Sequence, residues 1–97
     1  MNENEIAGLK AAVEREHSAP ARFRATERVR ERLGGRPLEV EVAIFDILGH
    51  PRALICYAWY TQTKGAEPRP ITVIREGLVR SSLDAVRFAL DEEEGHR

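Results

Sequence analysis

Cysteine occurs once in these 97 residues, at Cys56, so the chain can form no internal disulfide and offers no paired-cysteine metal motif, which agrees with a reducing compartment. No apolar run approaches the roughly 18 to 20 residues needed to cross a bilayer. The polar start MNENE lacks the basic opening and apolar core of a signal peptide. The expectation is a cytoplasmic protein with no membrane partner. Excess charge of one sign is missing too: the net charge is −1, which sets up no global field toward nucleic acid or an anionic surface. Glycines at 34, 35, 49, 65 and 77 never form a phosphate-cradling pattern. His17, His50 and His96 lie on three separate segments, with no His or Cys at metal-ligand spacing within any of them. No metal, nucleotide or other cofactor is expected.

Hydrophobic residues at 42% and charged residues at 32% fit a folded globular chain. Its length suits one domain spanning 1–97, with 1–3 and 95–97 frayed. Ile6, Leu9 and Val13 recur at helical spacing and predict an amphipathic helix over Asn4 to Glu16. HSAP interrupts it, because Pro20 cannot donate to a running helix but suits the first turn of a new one. A second helix is read over Pro20 to Leu33, with Ala25, Val29 and Leu33 four residues apart and Gly34-Gly35 as its stop.

From Pro37 the period changes to two. Val40, Val42 and Ile44 alternate with Glu39, Glu41 and Ala43, the pattern of a strand with one buried face. A turn centred on Gly49-His50 would set Ile44 opposite Ile55, Val42 opposite Tyr57 and Val40 opposite Trp59, favourable cross-strand pairs on one face. The other face then holds Phe45 with Leu54, Ala43 with Cys56, Glu41 with Ala58 and Glu39 with Tyr60. It is apolar near the turn and mixed at the far end. Either the N-terminal helices cover it while the C-terminal helix takes the first face, or a second subunit does. ITVIRE reads as a third strand antiparallel to the second. Ser81 with Asp84 opens a last helix whose apolar stripe is Leu83, Val86, Ala89 and Leu90. The expected fold is α+β, a three-stranded antiparallel meander in the order α-α-β-β-β-α.

Cys56 and His50 are the obvious nucleophile and base, but six residues along a strand span roughly 20 Å, so the pair cannot act together. Asp46, His50 and Arg52 cluster at one end of the hairpin as a possible polar ligand site. Tyr57 and Trp59, on the face of Val40 and Val42, could wall an apolar pocket with a phenol and an indole as polar handles.

Residues 15–36 carry seven Arg against three Glu, and residues 84–97 carry five acids against two Arg. Arg22, Arg24, Arg28 and Arg32 on the second helix are therefore candidates for nucleic-acid contact. The order helix, three strands, helix over residues 20–94 resembles the topology of the double-stranded RNA-binding domain. That family opens its last helix with phosphate-gripping lysines. Ser81, Ser82, Leu83 and Asp84 stand there in this chain, and LGHPR is short for that family's hairpin loop. The leading expectation is a non-enzymatic binding or interaction module acting as a homodimer. Its contact would use Phe45 and Leu54 on the second sheet face or Ile6, Leu9 and Val13 on the first helix. The alternatives are nucleic-acid binding through the arginines, and a small enzyme or small-molecule binder near Tyr57 and Trp59.

Overall fold

The computed structural model describes residues 1–33, 35–49, 54–61, 65, 67–77 and 79–95. Helix α1 (Glu3–His17) leads into four strands, β1 (Ala21–Leu33), β2 (Arg36–Ile47), β3 (Leu54–Tyr60) and β4 (Pro70–Ile74), followed by helix α2 (Ser82–Gly95). The strands form one antiparallel sheet in the order β1-β2-β3-β4. No helix among the described residues is long and apolar enough to cross a membrane.

The class is α+β as expected, but the second helix is a strand. Ala25, Val29 and Leu33 are spaced by four, an even number, so they share one face of a strand as readily as one face of a helix. The alternation of Arg28, Arg30 and Arg32 with Val29, Glu31 and Leu33 has period two and decides in favour of the strand. Leu33 pairs with Arg36, so strand follows strand here and no helix ends; Gly34 lies outside the described residues. Gly35 has φ 79°, a left-handed conformation glycine adopts without steric cost. Charged side chains pair across the strands, Arg28 with Glu39 and Glu41, and Arg30 with Glu39. A β-bulge lies between Phe23 and Ala25. It inserts Arg24 and reverses the alternation, so Ala21 and Phe23 lie over Ile47 and Phe45 while Ala25 lies over Ile44.

β2 and β3 pair two residues away from the anticipated register: Ile44 faces Tyr57, Phe45 faces Cys56 and Ile47 faces Leu54. The anticipated turn would have drawn Pro51 into the ladder, and proline has no N–H to give it. A shift of two keeps every side chain on its expected face. His50, Pro51 and Arg52 lie outside the described residues.

Both faces are covered from within the chain. Val29, Val40, Val42, Tyr57, Trp59 and Val73 pack under Ala85 and Val86 of α2. Ala43, Phe45, Ile47, Cys56 and Ala58 pack under Leu9 and Val13 of α1. Of the five residues expected at a subunit interface, Phe45, Leu9 and Val13 are fully buried in this core, and Ile6 and Leu54 pack against it. That contact surface is therefore spent inside the protomer.

Side-chain caps stand at the start of both helices. Asn2 and Glu5 form a reciprocal capping box at the start of α1, where residues 1–3 were expected to fray. Ser18, with φ 51°, closes the helix in the left-handed region. Ser81 accepts from the Asp84 amide at 3.2 Å, as its spacing predicted, while the Asp84 carboxylate reaches past the cap to the Arg80 amide at 3.1 Å. α2 extends through Gly95, and residues 96 and 97 lie outside the described residues.

Removing the Phe45 ring should cost about 3 to 5 kcal/mol, against about 1 kcal/mol for Phe23→Ala. Phe23 stacks edge-on against Phe45 at 5.8 Å but is 39% exposed. Urea denaturation of Phe45→Ala and Phe23→Ala measures both, and equal losses would contradict the placement of the two rings.

Candidate binding cleft

The ladder between β2 and β3 stops at Ala43 opposite Ala58, while β2 runs back to Arg36 alongside β1 and β3 continues to Tyr60 alongside β4. The two central strands therefore part like a fork. In the gap lies a cleft of about 450 Å³ lined by Met1, Glu5, Val40, Glu41, Tyr60, Thr61 and Pro68.

Backbone polarity inside the fork follows from the ladder. The Arg75 amide donates to the Ile55 carbonyl at 2.8 Å and the Thr61 amide to the Arg69 carbonyl at 2.8 Å, so odd-numbered residues of β3 turn their N–H and C=O groups toward β4. Directions alternate along an antiparallel strand, so the even ones turn toward β2. By the register, it is the odd residues of β2, namely Ala43, Phe45 and Ile47, that meet them. Even residues of β2 face β1, in line with the Leu48 amide donating to the Pro20 carbonyl at 2.8 Å. Glu39 and Glu41 thus direct their backbone groups to the same side, where among the described residues neither has a ladder partner. Pro37 holds the same parity, where its missing N–H deprives no ladder partner.

The first turn of α1 sits over the fork and is tied to both prongs. The Met1 ammonium pairs with the Glu41 carboxylate on β2. The Tyr60 hydroxyl on β3 donates to the Glu5 carbonyl at 3.1 Å. The Met1 ammonium, with Arg28 adding to it, holds the Glu41 carboxyl below the usual carboxylate range. Gly8 explains how the helix comes so close: a Cβ there would stand 2.2 Å from the Tyr60 hydroxyl oxygen. A mid-helix glycine ordinarily costs about 1 kcal/mol relative to alanine, and here the missing side chain makes room for the tyrosine.

The sequence-predicted residues fall elsewhere. Tyr57 and Trp59 are each 4% exposed and belong to the core under α2; neither lines the cleft, which uses their neighbours Tyr60 and Val40. Burial raises the Tyr57 phenol above its ordinary range. Asp46 takes Arg22 at 3.5 Å and Arg24 at 3.6 Å, and His50 and Arg52, its anticipated companions, lie outside the described residues. Arg22, Arg24, Arg28 and Arg32 sit on a strand and not a helix, and the bulge and the pleat divide them between two faces: Arg22 pairs across from Asp46 while Arg28 and Arg32 pair across from Glu41 and Pro37.

His50 lies outside the described residues, and another histidine reaches Cys56. The His17 Nε2 at the end of α1 lies 3.7 Å from its sulfur, a contact between residues 39 positions apart that no local spacing announces. Burial pushes the thiol up to about 12, so the sulfur is protonated at neutral pH, the reverse of an activated nucleophile. Among the described residues no three His, Cys, Asp or Glu side chains are grouped so as to hold a metal ion.

No family model, no curated protein and no solved structure matches this chain. The topological resemblance to the double-stranded RNA-binding domain rested on a helix over the residues that form β1, and the observed order, α-β-β-β-β-α, does not reproduce it.

Gly8→Ala should destabilise the protein despite the better helix propensity of alanine. In a Tyr60→Phe background, where the obstructing oxygen is gone, the same change should be neutral or stabilising by up to about 1 kcal/mol. Thermal melts of the four proteins complete the cycle, and additive effects would show that the two residues do not meet.

Proposed function

We propose that the protein is a non-enzymatic binding module and that the fork between β2 and β3 receives its ligand. The observation behind this reading is the early end of the β2–β3 ladder beside a cleft that joins apolar walls, Val40, Tyr60 and Pro68, to carboxylates and a hydroxyl from Glu5, Glu41 and Thr61. Concave sites of this mixed lining are where small polar-apolar ligands are usually held.

The other readings draw less support. For catalysis, the Cys-His contact found among the described residues joins a histidine to a thiol that stays protonated. For nucleic acid, the arginines of β1 are spread over two faces, and Arg22, Arg24, Arg28 and Arg30 are matched by Asp46, Glu39 and Glu41. For a homodimer, the apolar sheet faces that motivated it carry the chain's own helices. The exposed edge of β1 is arginine-rich, and charged side chains on an edge strand discourage sheet-to-sheet pairing.

A panel of small amines, carboxylates and aromatic fragments, followed by backbone amide shifts, tests the proposal. Binders should move Val40, Glu41, Tyr60 and Thr61 together. Pro68→Trp, which places a large side chain at an exposed position of the cleft wall, should weaken them at least tenfold while the melting temperature stays within a few degrees of the parent. Binders that leave these four amides unmoved would refute it.

A further inference from the structure

We infer that the occupant of the fork is an extended peptide that adds to the open edge of β2 and alternates basic with β-branched side chains. The inference rests on the fork being the ligand site and goes on to name what enters it.

Glu39 and Glu41 turn both N–H and C=O toward the fork, so a strand laid antiparallel to β2, along the course β3 has abandoned, meets four backbone groups in the spacing of a ladder. Strand addition to an exposed edge is a common mode of peptide recognition, with main-chain bonds supplying affinity and alternate side chains supplying selectivity. Pro37, next in the same parity, has no N–H to offer, so the pairing stretch ends there and its register is fixed.

Side-chain chemistry follows from the pleat. On the α1 side of β2, an incoming strand lies beside Glu39, which is half exposed and shared with Arg28 and Arg30, and beside Glu41, which is shared with Arg28 and the Met1 ammonium. Glu5 lines the same cleft, and cross-strand pairs of opposite charge are favourable. On the α2 side, the neighbours are Val40, which is buried, and Leu38, which is partly buried against the same core, and these favour a β-branched partner. The peptide therefore presents Lys or Arg toward α1 and Val or Ile toward α2. Its basic residues are the ones whose amides bond to Glu39 and Glu41, because residues directly opposite one another share a face.

The probe is the blocked pentapeptide acetyl-Lys-Val-Lys-Val-Lys-amide, titrated into the full chain and followed by amide shifts. The expected result is saturable movement of the Glu39 and Glu41 amides, at least tenfold weaker binding when the lysine amides are N-methylated, and a preference reversed by Glu39→Lys, which should favour the Glu-Val-Glu-Val-Glu counterpart. Peptide binding insensitive to N-methylation, or centred on other residues, overturns strand addition. Fragments that bind the fork while the peptide does not would overturn this inference and leave the site itself standing. Silence from both fragments and peptide refutes the site and the inference together.

Discussion

The central strand β2 is apolar on both sides at once. Over Val42, Ala43, Ile44, Phe45 and Ile47 every residue is buried or nearly so, so neither face of the sheet can be left to water, and two helices from opposite ends of the chain are needed to cover them. α1 takes one face and α2 the other. The transfer of apolar area from water, about 25 cal/mol per Å², is the main force holding both helices on the sheet. Neither helix is strongly amphipathic enough to persist alone, since isolated helices of 14 or 15 residues are marginal in water.

The cleft is a consequence of the same strand. Where β2 changes from apolar on both sides to alternating, at Val42 and Glu41, it stops pairing with β3 and, among the described residues, continues with β1 alone. Glu39 and Glu41 on one side and the arginines opposite them make a charged surface that needs no helix above it. The buried sheet and the open fork meet at the first turn of α1. Its capping box orders the helix start, and contacts from Met1 and Glu5 to the two prongs hold that start in place.

Much of this was legible in the residues. The alternation of β2, its division into two faces, the last helix and its Ser81 cap, and the antiparallel pairing of β3 with β4 all follow from local pattern. The face assignment survived a two-residue error in register because side chains alternate with period two. β1 was misread because a spacing of four satisfies both a helix and a strand, and because the bulge at Arg24 breaks the alternation that would have exposed it. The cleft left one trace: the mixed far half of the second face, Glu39, Glu41 and Tyr60. Its assembly was hidden, because the contacts of Tyr60 with Glu5 and of Cys56 with His17 join residues 55 and 39 positions apart.

The claim on which the rest turns is that β2 loses its β3 partner beyond Ala43 while keeping β1. Amide hydrogen exchange reads this directly, since protection reports which N–H groups are bonded. Slow exchange is expected at Val40, Val42, Ala43 and Phe45, with Glu39 and Glu41 exchanging far faster than the residues on either side of them. Glu39 and Glu41 protected as strongly as Ala43 would mean that the sheet is closed and that there is no fork.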